Sequence, residues 1–193
     1  HGQTPAKLAV VAQQGHRVVL GDIDRQQSAR EWLKLRRPTL PHIATWEIEA
    51  GRPAHPPKGA THVVLDTPAG LHGKKLANVL KLVQRVIVPL QPSLFDILAT
   101  RTFLDTLLEE KAVRRHDTFI AVVGMRVDTR TLAAQELERF LGSLGLPVLT
   151  MLRDTQNYVQ AAAHGLTIFD LPASRAENDW QQWQPIFDWI AQP

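Results

Sequence analysis

The chain contains no cysteine. This excludes disulfide bonds, thiolate metal sites and a cysteine nucleophile, and it fits a reducing compartment. No apolar run approaches the roughly 20 residues that a membrane-spanning helix needs. The first residues also lack the charged, apolar and small-residue regions of a secretory signal peptide. We therefore predict a cytoplasmic protein with no integral membrane segment.

Several catalytic signatures are missing as well. The eight histidines do not form the HxxxH or HExxH spacings of zinc sites, which disfavours a metal site other than magnesium. No GxSxG marks a nucleophile elbow, and no GxGxxG follows a predicted strand. The sequence thus disfavours zinc hydrolases, serine hydrolases of the elbow type and dinucleotide-dependent enzymes.

The composition is that of an ordinary globular protein. Hydrophobic residues make up 44% of the 193 residues and charged residues 21%, which predicts one domain over residues 1–193. The net charge is +3 with 22 Lys and Arg against 19 Asp and Glu. This mild basic excess is compatible with an approach to nucleic acid, but it also serves solubility alone.

Short β-branched runs alternate with helical patterns, which is typical of parallel βαβ units. We predict strands at 17–22, 61–66, 85–90, 118–124 and 147–151, each followed by a helix, and a surface loop at the proline-rich 52–59. The expected fold class is α/β with three layers, a mostly parallel sheet and helices on both faces. Helical spacing relates four sets of apolar residues, namely Leu76, Val79, Leu80 and Val83; Ile97, Leu104, Leu107 and Leu108; Ala133, Leu137, Phe140 and Leu141; and Trp180, Trp183, Phe187 and Ile190.

The last of these sets predicts an amphipathic helix over 177–190. Its apolar face either packs on the sheet or binds a partner or a membrane surface. The face has no basic flank, which weakens the membrane interpretation.

Acidic residues end two of the predicted strands. Asp22 and Asp24 close the run VVLGDID, and Asp66 closes HVVLD before a turn of small residues. Ligand sites of open parallel sheets lie at the carboxyl ends of the strands, and magnesium prefers oxygen ligands. These carboxylates therefore predict a magnesium site, although Asp also caps turns and helices in this position.

Five segments in order resemble the ParA/MinD family of deviant-Walker ATPases. They are GHRVVLGDID at 15–24, VVLDTPAG at 63–70, IVPLQPS at 87–93, MRVDTR at 125–130, and GLPV at 145–148 with AHGLT at 163–167. The resemblance covers most of the chain and implies a P-loop NTPase-like fold that binds ATP and Mg²⁺.

The resemblance also implies roles for individual residues. Asp66 would be the Walker B carboxylate on the magnesium shell, Asp22 a second carboxylate near the metal, and Asp24 the residue that orients the attacking water. Similar proteins surround the nucleotide base with segments that match Met125, Arg126, Leu152, Arg153 and Asp154. Such proteins form an ATP-dependent homodimer, stimulated or directed by an adaptor protein.

One family motif is incomplete. The phosphate loop of the family reads KGGxGKT, and only its last part is matched, by Gly2, Gln3 and Thr4, with Gln3 at the place of the lysine. We expect the lead-in strand and most of the phosphate loop to precede residue 1 in a longer product. ATP binding by these 193 residues alone should be weak.

Non-specific DNA binding is a further implication of the resemblance. The basic clusters are Lys34-Arg36-Arg37, Arg114-Arg115-His116, and Lys74 and Lys75 with Lys81 and Arg85. We single out Lys74, Lys75 and Arg153 as candidate DNA contacts, since binding without sequence preference needs cations on phosphates. The segment at 153–160 contains one arginine, whereas many similar proteins have an arginine-rich stretch there. Solvated helix faces explain the basic clusters nearly as well.

The sequence thus predicts a bacterial ParA-like ATPase that binds Mg-ATP, dimerises on it and hydrolyses it. This cycle would position or segregate a cargo, which could be a plasmid, a chromosome region or a protein assembly, with nucleoid association through DNA. Two alternatives remain open: a nucleotide-independent adaptor with a degenerate ATPase fold, and an ATP-dependent synthetase of the same superfamily, for which no small-molecule site is evident.

Overall fold

The computed structural model describes residues 12, 15–24, 26–48 and 55–193. The chain divides into two compact units. The first comprises His1–Ala69 and Gln156–Glu177, and the second comprises Gly70–Thr155 and Asn178–Pro193. Each is a parallel sheet with helices, which confirms the predicted α/β fold class, while the prediction of a single domain stays a prediction.

The secondary structure alternates strands and helices along most of the chain. In order, the elements are β1 (Val18–Asp22), α1 (Ser28–Leu35), β2 (Ile43–Trp46), β3 (His62–Asp66), α2 (Gly73–Leu80), β4 (Arg85–Leu90), α3 (Leu94–Glu109), α4 (Lys111–Arg114), β5 (Phe119–Val127), α5 (Leu132–Ser143), β6 (Val148–Arg153), α6 (Gln156–Ala163), a 3₁₀ turn (Ile168–Asp170) and α7 (Ala173–Ile190).

The sheet of the first unit has the order β2-β1-β3, with all strands parallel. β1 is the central strand, and Val18, Val19 and Leu20 are almost completely buried. Strands buried on both faces read as continuous apolar runs, which explains the sequence VVL. Ala29 and Trp32 on α1 pack into the same core as Val18 and Leu20.

The sheet of the second unit has the order β4-β5-β6, again parallel throughout. Its central strand, β5, buries Ala121, Val122 and Val123 completely. Leu107 of α3 and Leu137 of α5 are equally buried. Both helices therefore contribute to the cores of this unit through most of the predicted apolar positions. Leu108 and Ala133 are the exceptions, since both are exposed and Ala134 is buried in place of Ala133.

The five predicted strands all exist, but β2 was missed. This strand has only four residues, IATW, and no alternating pattern marks it. Of the predicted loop at 52–59, residues 52–54 lie outside the described residues, and 55–59 contain neither helix nor strand.

The amphipathic helix at the end of the chain begins earlier than predicted, at Ala173, and buries a different face. Of the predicted set only Trp183 is completely buried, whereas Trp180, Phe187 and Ile190 are half-buried. The helix itself was predicted, but its buried face was not, because a charged residue, Asp179, lies on that face. The buried positions are Ala176, Asp179, Trp183, Ile186 and Trp189.

Candidate functional site

The structure brings the predicted carboxylates of the first unit to one sheet edge. Asp22 ends β1 and Asp66 ends β3, and the two residues are register partners. The ladder continues for one residue beyond them, since the amide of Ile23 donates to the carbonyl of Asp66 at 2.9 Å. Asp24 follows two residues after Asp22. Three carboxylates are thus supplied by the carboxyl ends of two adjacent parallel strands, where ligands of open α/β sheets bind.

Both oxygens of Asp22 accept hydrogen bonds from backbone amides. Oδ1 accepts from Asp24 N at 3.1 Å, and Oδ2 accepts from Arg30 N at 3.1 Å. Arg30 lies in the first turn of α1, whose N-cap residue, Gln27, makes no side-chain cap. Asp22 therefore supplies the missing cap from outside the helix, where a negative charge is also favourable.

Asp24 organises the loop between β1 and α1. Its Oδ1 accepts from Gln26 N at 3.1 Å, and its carbonyl accepts from Gln27 N at 3.0 Å. Gln27 has φ of 47°, in the left-handed region. These hydrogen bonds make a compact turn that holds the half-buried Asp24 beside the end of β1.

Gly21 allows the strands to pack closely beneath the site. A Cβ at this position would lie 2.6 Å from the Leu65 side chain and 2.8 Å from that of Ile48. Any larger residue would have to displace these two side chains.

A small cavity of about 200 Å³ adjoins Asp22 on the β2 side. Arg30 and Glu47 form an ion pair at its wall. No sequence pattern indicates this pair, because the residues are 17 positions apart and both types are common on surfaces. The cavity is lined by Leu20, Asp22, Gln27, Arg30, Thr45, Trp46, Glu47 and Ile48.

The donor set suits magnesium held through water. Each carboxylate has about four lone-pair positions, so the two amide hydrogen bonds to Asp22 leave further acceptor capacity on that group. Mg²⁺ keeps several of its waters and is bound through one or two carboxylates. Within 15–24, 26–48 and 55–193, no group of three or more acidic or histidine side chains is arranged to hold a metal directly. Asp22 and Asp66 therefore fit an outer-shell role.

The segments predicted to contact the nucleotide base meet each other in the second unit. Met125 and Arg126 lie in an irregular part of β5, and Arg126 has φ of 52°. Its Nε lies 3.4 Å from Asp154 Oδ1, and Asp154 N donates to the carbonyl of Val127 at 3.3 Å. Leu152 is buried at the end of β6. The base-contacting role of these residues stays a prediction.

Arg153 is held by the last helix. Its Nε and Nη2 donate to the two oxygens of Asp179 at 2.6 and 3.1 Å, and its backbone amide donates to Gln182 Oε1 at 2.9 Å. Asp179 is completely buried. Such a two-pronged pair fixes the guanidinium. Its predicted roles toward nucleotide and DNA stay predictions, and any such contact would have to share a paired cation.

The candidate DNA contacts Lys74 and Lys75 lie exposed in the first turn of α2. Gly2, Gln3 and Thr4 lie outside the described residues.

Asp128, which belongs to the MRVDTR segment, pairs with Arg130. The guanidinium of Arg130 donates to both of its oxygens at 2.9 and 2.8 Å. These hydrogen bonds lower the pKa of Asp128 to about 2. The turn leads into α5, whose N-cap is Thr131, with its hydroxyl accepting from Ala134 N.

Sequence reasoning placed Arg36 in a basic surface cluster, and this was wrong. Its side chain is 5% exposed and its Nη1 lies 3.1 Å from Asp170 Oδ2, with Asp170 2% exposed. Arg36 also lies over the ring of Trp32. The AHGLT segment was the sequence feature that could have indicated this burial of Arg36. Its Gly165 has φ of 67° and lies directly against the backbone of residues 35 and 36.

Parallel sheets flanked by helices, with acidic residues at adjoining strand ends, give this chain an α/β fold like that of the P-loop NTPase-like ParA/MinD proteins. No protein-family model matches the chain. Comparison with known proteins nevertheless confirms the resemblance to this family, since structures of MinD and of a plasmid partition protein have the same fold.

One curated protein and two solved structures illustrate the similarity. The "Maintenance of carboxysome distribution protein A" of Gloeobacter kilaueensis is 29% identical over 93% of this chain and 84% of its own length. A ParA family ATPase from Chlorobium tepidum has a TM-score of 0.64 at 15% identity, covering 94% of this chain and 90% of its own. The ATP complex of a McdA variant from Cyanothece has a TM-score of 0.61 at 10% identity, covering 96% and 91%.

Among the described residues, no helix combines the length and the apolar character needed to cross a membrane.

Proposed function

We propose that this protein is a ParA-like ATPase that uses Mg-ATP binding and hydrolysis to position a cargo inside a bacterial cell. The observation that carries the proposal is the pairing of Asp22 and Asp66 in register at one sheet edge, with Asp24 in the adjoining turn. Relatives of known structure were solved with AMPPNP or ATP bound, which supports ATP as the nucleotide.

In this proposal Asp22 and Asp66 would hold Mg²⁺ by accepting hydrogen bonds from its waters. The ion would neutralise charge on the phosphates. Asp24 would accept a hydrogen bond from the attacking water and orient it. Phosphoryl transfer requires little covalent chemistry from a protein. Positioning of the water, the metal ion and the phosphates therefore supplies most of the rate enhancement.

Asp22 has a second role because its carboxylate caps α1 and the Asp24 turn. A change in the hydrogen bonding of Asp22 when Mg-ATP binds would alter both the first turn of α1 and the Asp24 turn. This gives the ATP state a direct route to the conformation of the β1–α1 loop and would time dimerisation and release.

The cargo we favour is a protein assembly of the carboxysome type. Support comes from the curated relative that matches 93% of this chain, whose name assigns it to carboxysome distribution. Plasmid partition is the second candidate, supported by the fold shared with a putative plasmid partition protein from Borrelia burgdorferi. Non-specific DNA binding by Lys74, Lys75 and Arg153 would provide the track for either cargo.

The test is ATP turnover by the full-length protein and by two variants. Asp24→Asn should retain ATP binding and lose hydrolysis by about 100-fold or more, since a misplaced reacting group costs that much. Asp105→Asn, an exposed carboxylate on α3, is the matched control and should hydrolyse ATP normally. Equal turnover in all three proteins would contradict the role of Asp24. Absence of ATP binding in the wild type would favour the nucleotide-independent adaptor.

A further inference from the structure

Two histidines meet at the amino-terminal edge of the first sheet, the edge away from Asp22 and Asp66. His62 is the register partner of Val18, and His16 lies two residues before Val18. His16 precedes β1, and its imidazole lies beside that of His62. Their ring centres are 4.4 Å apart, with an angle of 51° between the planes.

The hydroxyl of Thr61 contacts one ring nitrogen of His62. The hydroxyl of Thr61 donates its single hydrogen to the carbonyl of Arg17 at 3.2 Å and accepts from Arg17 N at 2.9 Å. His62 Nδ1 lies 3.1 Å from the same oxygen. In the tautomer with its hydrogen on Nδ1, His62 donates to that oxygen and keeps the lone pair of Nε2 for a ligand.

This arrangement matches the way proteins prepare a histidine to bind metal. A ligating imidazole usually donates its other N–H to an oxygen acceptor, which fixes the tautomer and the ring orientation. With metal–nitrogen distances of about 2.0–2.1 Å, two imidazoles at neighbouring octahedral positions have ring centres about 4.5 Å apart. Among the described residues His16 makes no hydrogen bond through its ring, so its nitrogens remain available.

We propose that His16 and His62 form a binding site for one divalent transition-metal ion of the nickel, copper and zinc class. Imidazole nitrogen suits these ions, whereas Mg²⁺ and Ca²⁺ prefer oxygen. Water completes the coordination. The site lies at the opposite end of the strands from the proposed ATP site and does not depend on that proposal.

The electrostatic environment favours the neutral ligand form. Burial, and then the neighbouring His16, lower the pKa of His62 below 6.5. Protons therefore compete weakly with a metal ion at neutral pH. The nearest described cation in sequence is Arg17, whose guanidinium lies next to Gly59.

The experiment is a titration of the full-length protein with Ni²⁺ alone, followed by NMR of the histidine side chains. The signals of His16 and His62 should broaden together at lower Ni²⁺ than those of the other six. His62→Gln should abolish this early broadening at His16. Thr61→Val should weaken binding by about 10-fold or more, as loss of a supporting hydrogen bond does at metal sites. His164→Gln, an exposed histidine at the end of α6, is the control and should change nothing.

Two results would overturn the proposal. In the first, all eight histidines broaden over the same Ni²⁺ range. In the second, His16 in the His62→Gln variant binds as tightly as in the wild type. A thermal scan in each metal-free variant shows whether the fold persists, so that loss of binding is not mistaken for unfolding.

Discussion

At the scale of single residues, the charged side chains of this protein act through the partners that fix them. Asp22 combines a position at the candidate magnesium site with two hydrogen bonds to backbone amides. Asp170 and Asp179 are buried and each is paired with an arginine. Residue type alone did not reveal these pairs, because their members are far apart in sequence and the sequence pattern assigns charged residues to the surface.

Replacing Asp22 tests its structural role separately from catalysis. Asp22→Ala leaves the amides of Asp24 and Arg30 without their acceptor, so we expect the free energy of unfolding to fall by about 1–3 kcal/mol. Urea denaturation measures this directly. Asp105→Ala is the control, and an equal effect of both substitutions would contradict the capping role of Asp22.

Arg36 should be far more important for stability than its neighbour Arg37. Removal of Arg36 leaves the carboxylate of Asp170 buried without its cation, so Arg36→Ala should cost about 3–5 kcal/mol. Arg37→Ala, at an exposed position, should change stability by no more than about 0.5 kcal/mol. Denaturation curves of the two variants that coincide would show that the buried pair contributes little.

At the scale of elements, the strands were predictable and their irregular features were not. Five of the six strands follow from continuous apolar runs, as expected for buried parallel strands. β2 is short, and β5 and β6 shift register between Val122 and Val123 and again between Gly124 and Val127. Such shifts depend on packing between strands, which no local pattern records.

The contact between α1 and the segment after α6 depends on one glycine. A Cβ at Gly165 would lie 2.3 Å from the backbone carbon of Leu35, and φ at Gly165 is 67°. Gly165→Ala should therefore destabilise the protein by more than about 1 kcal/mol. Gly142→Ala in α5, where nothing lies within 4 Å, should stabilise by up to about 1 kcal/mol. Thermal denaturation that ranks the two variants in the opposite order would contradict this packing.

The edge that carries His16 and His62 should make stability depend on pH. The pKa of His62 lies below 6.5 in the folded protein, so the unfolded chain binds the proton more readily. Stability should fall as pH decreases through about 6.5, and the loss should level off below the folded pKa. His62→Gln should show a smaller loss between pH 7.5 and 5.5 than His164→Gln. Identical pH profiles of the melting temperature would exclude this contribution.

At the scale of the whole molecule, the order of motifs along the chain carried the functional prediction. Alternating strand and helix patterns predicted the fold class. Strand-end carboxylates predicted the candidate magnesium site, because parallel topology brings strand ends to one edge. The hydrogen bonds that hold Arg153 in the second unit were not predictable. They depend on Asp179 of α7, and the sequence pattern predicted a wholly apolar buried face for this helix. Site residues at positions 2–4 lie outside the described residues.

Magnesium-dependent ATP binding tests the central claim most directly. Calorimetry on the full-length protein should give ATP binding with Mg²⁺ that weakens strongly when the ion is removed with EDTA. In Asp66→Asn, the difference between the two conditions should shrink, while in Asp105→Asn it should persist. ATP affinity that is the same with and without Mg²⁺ in the wild type, or that is absent altogether, would contradict the assignment of Asp22 and Asp66 to a magnesium-ATP site.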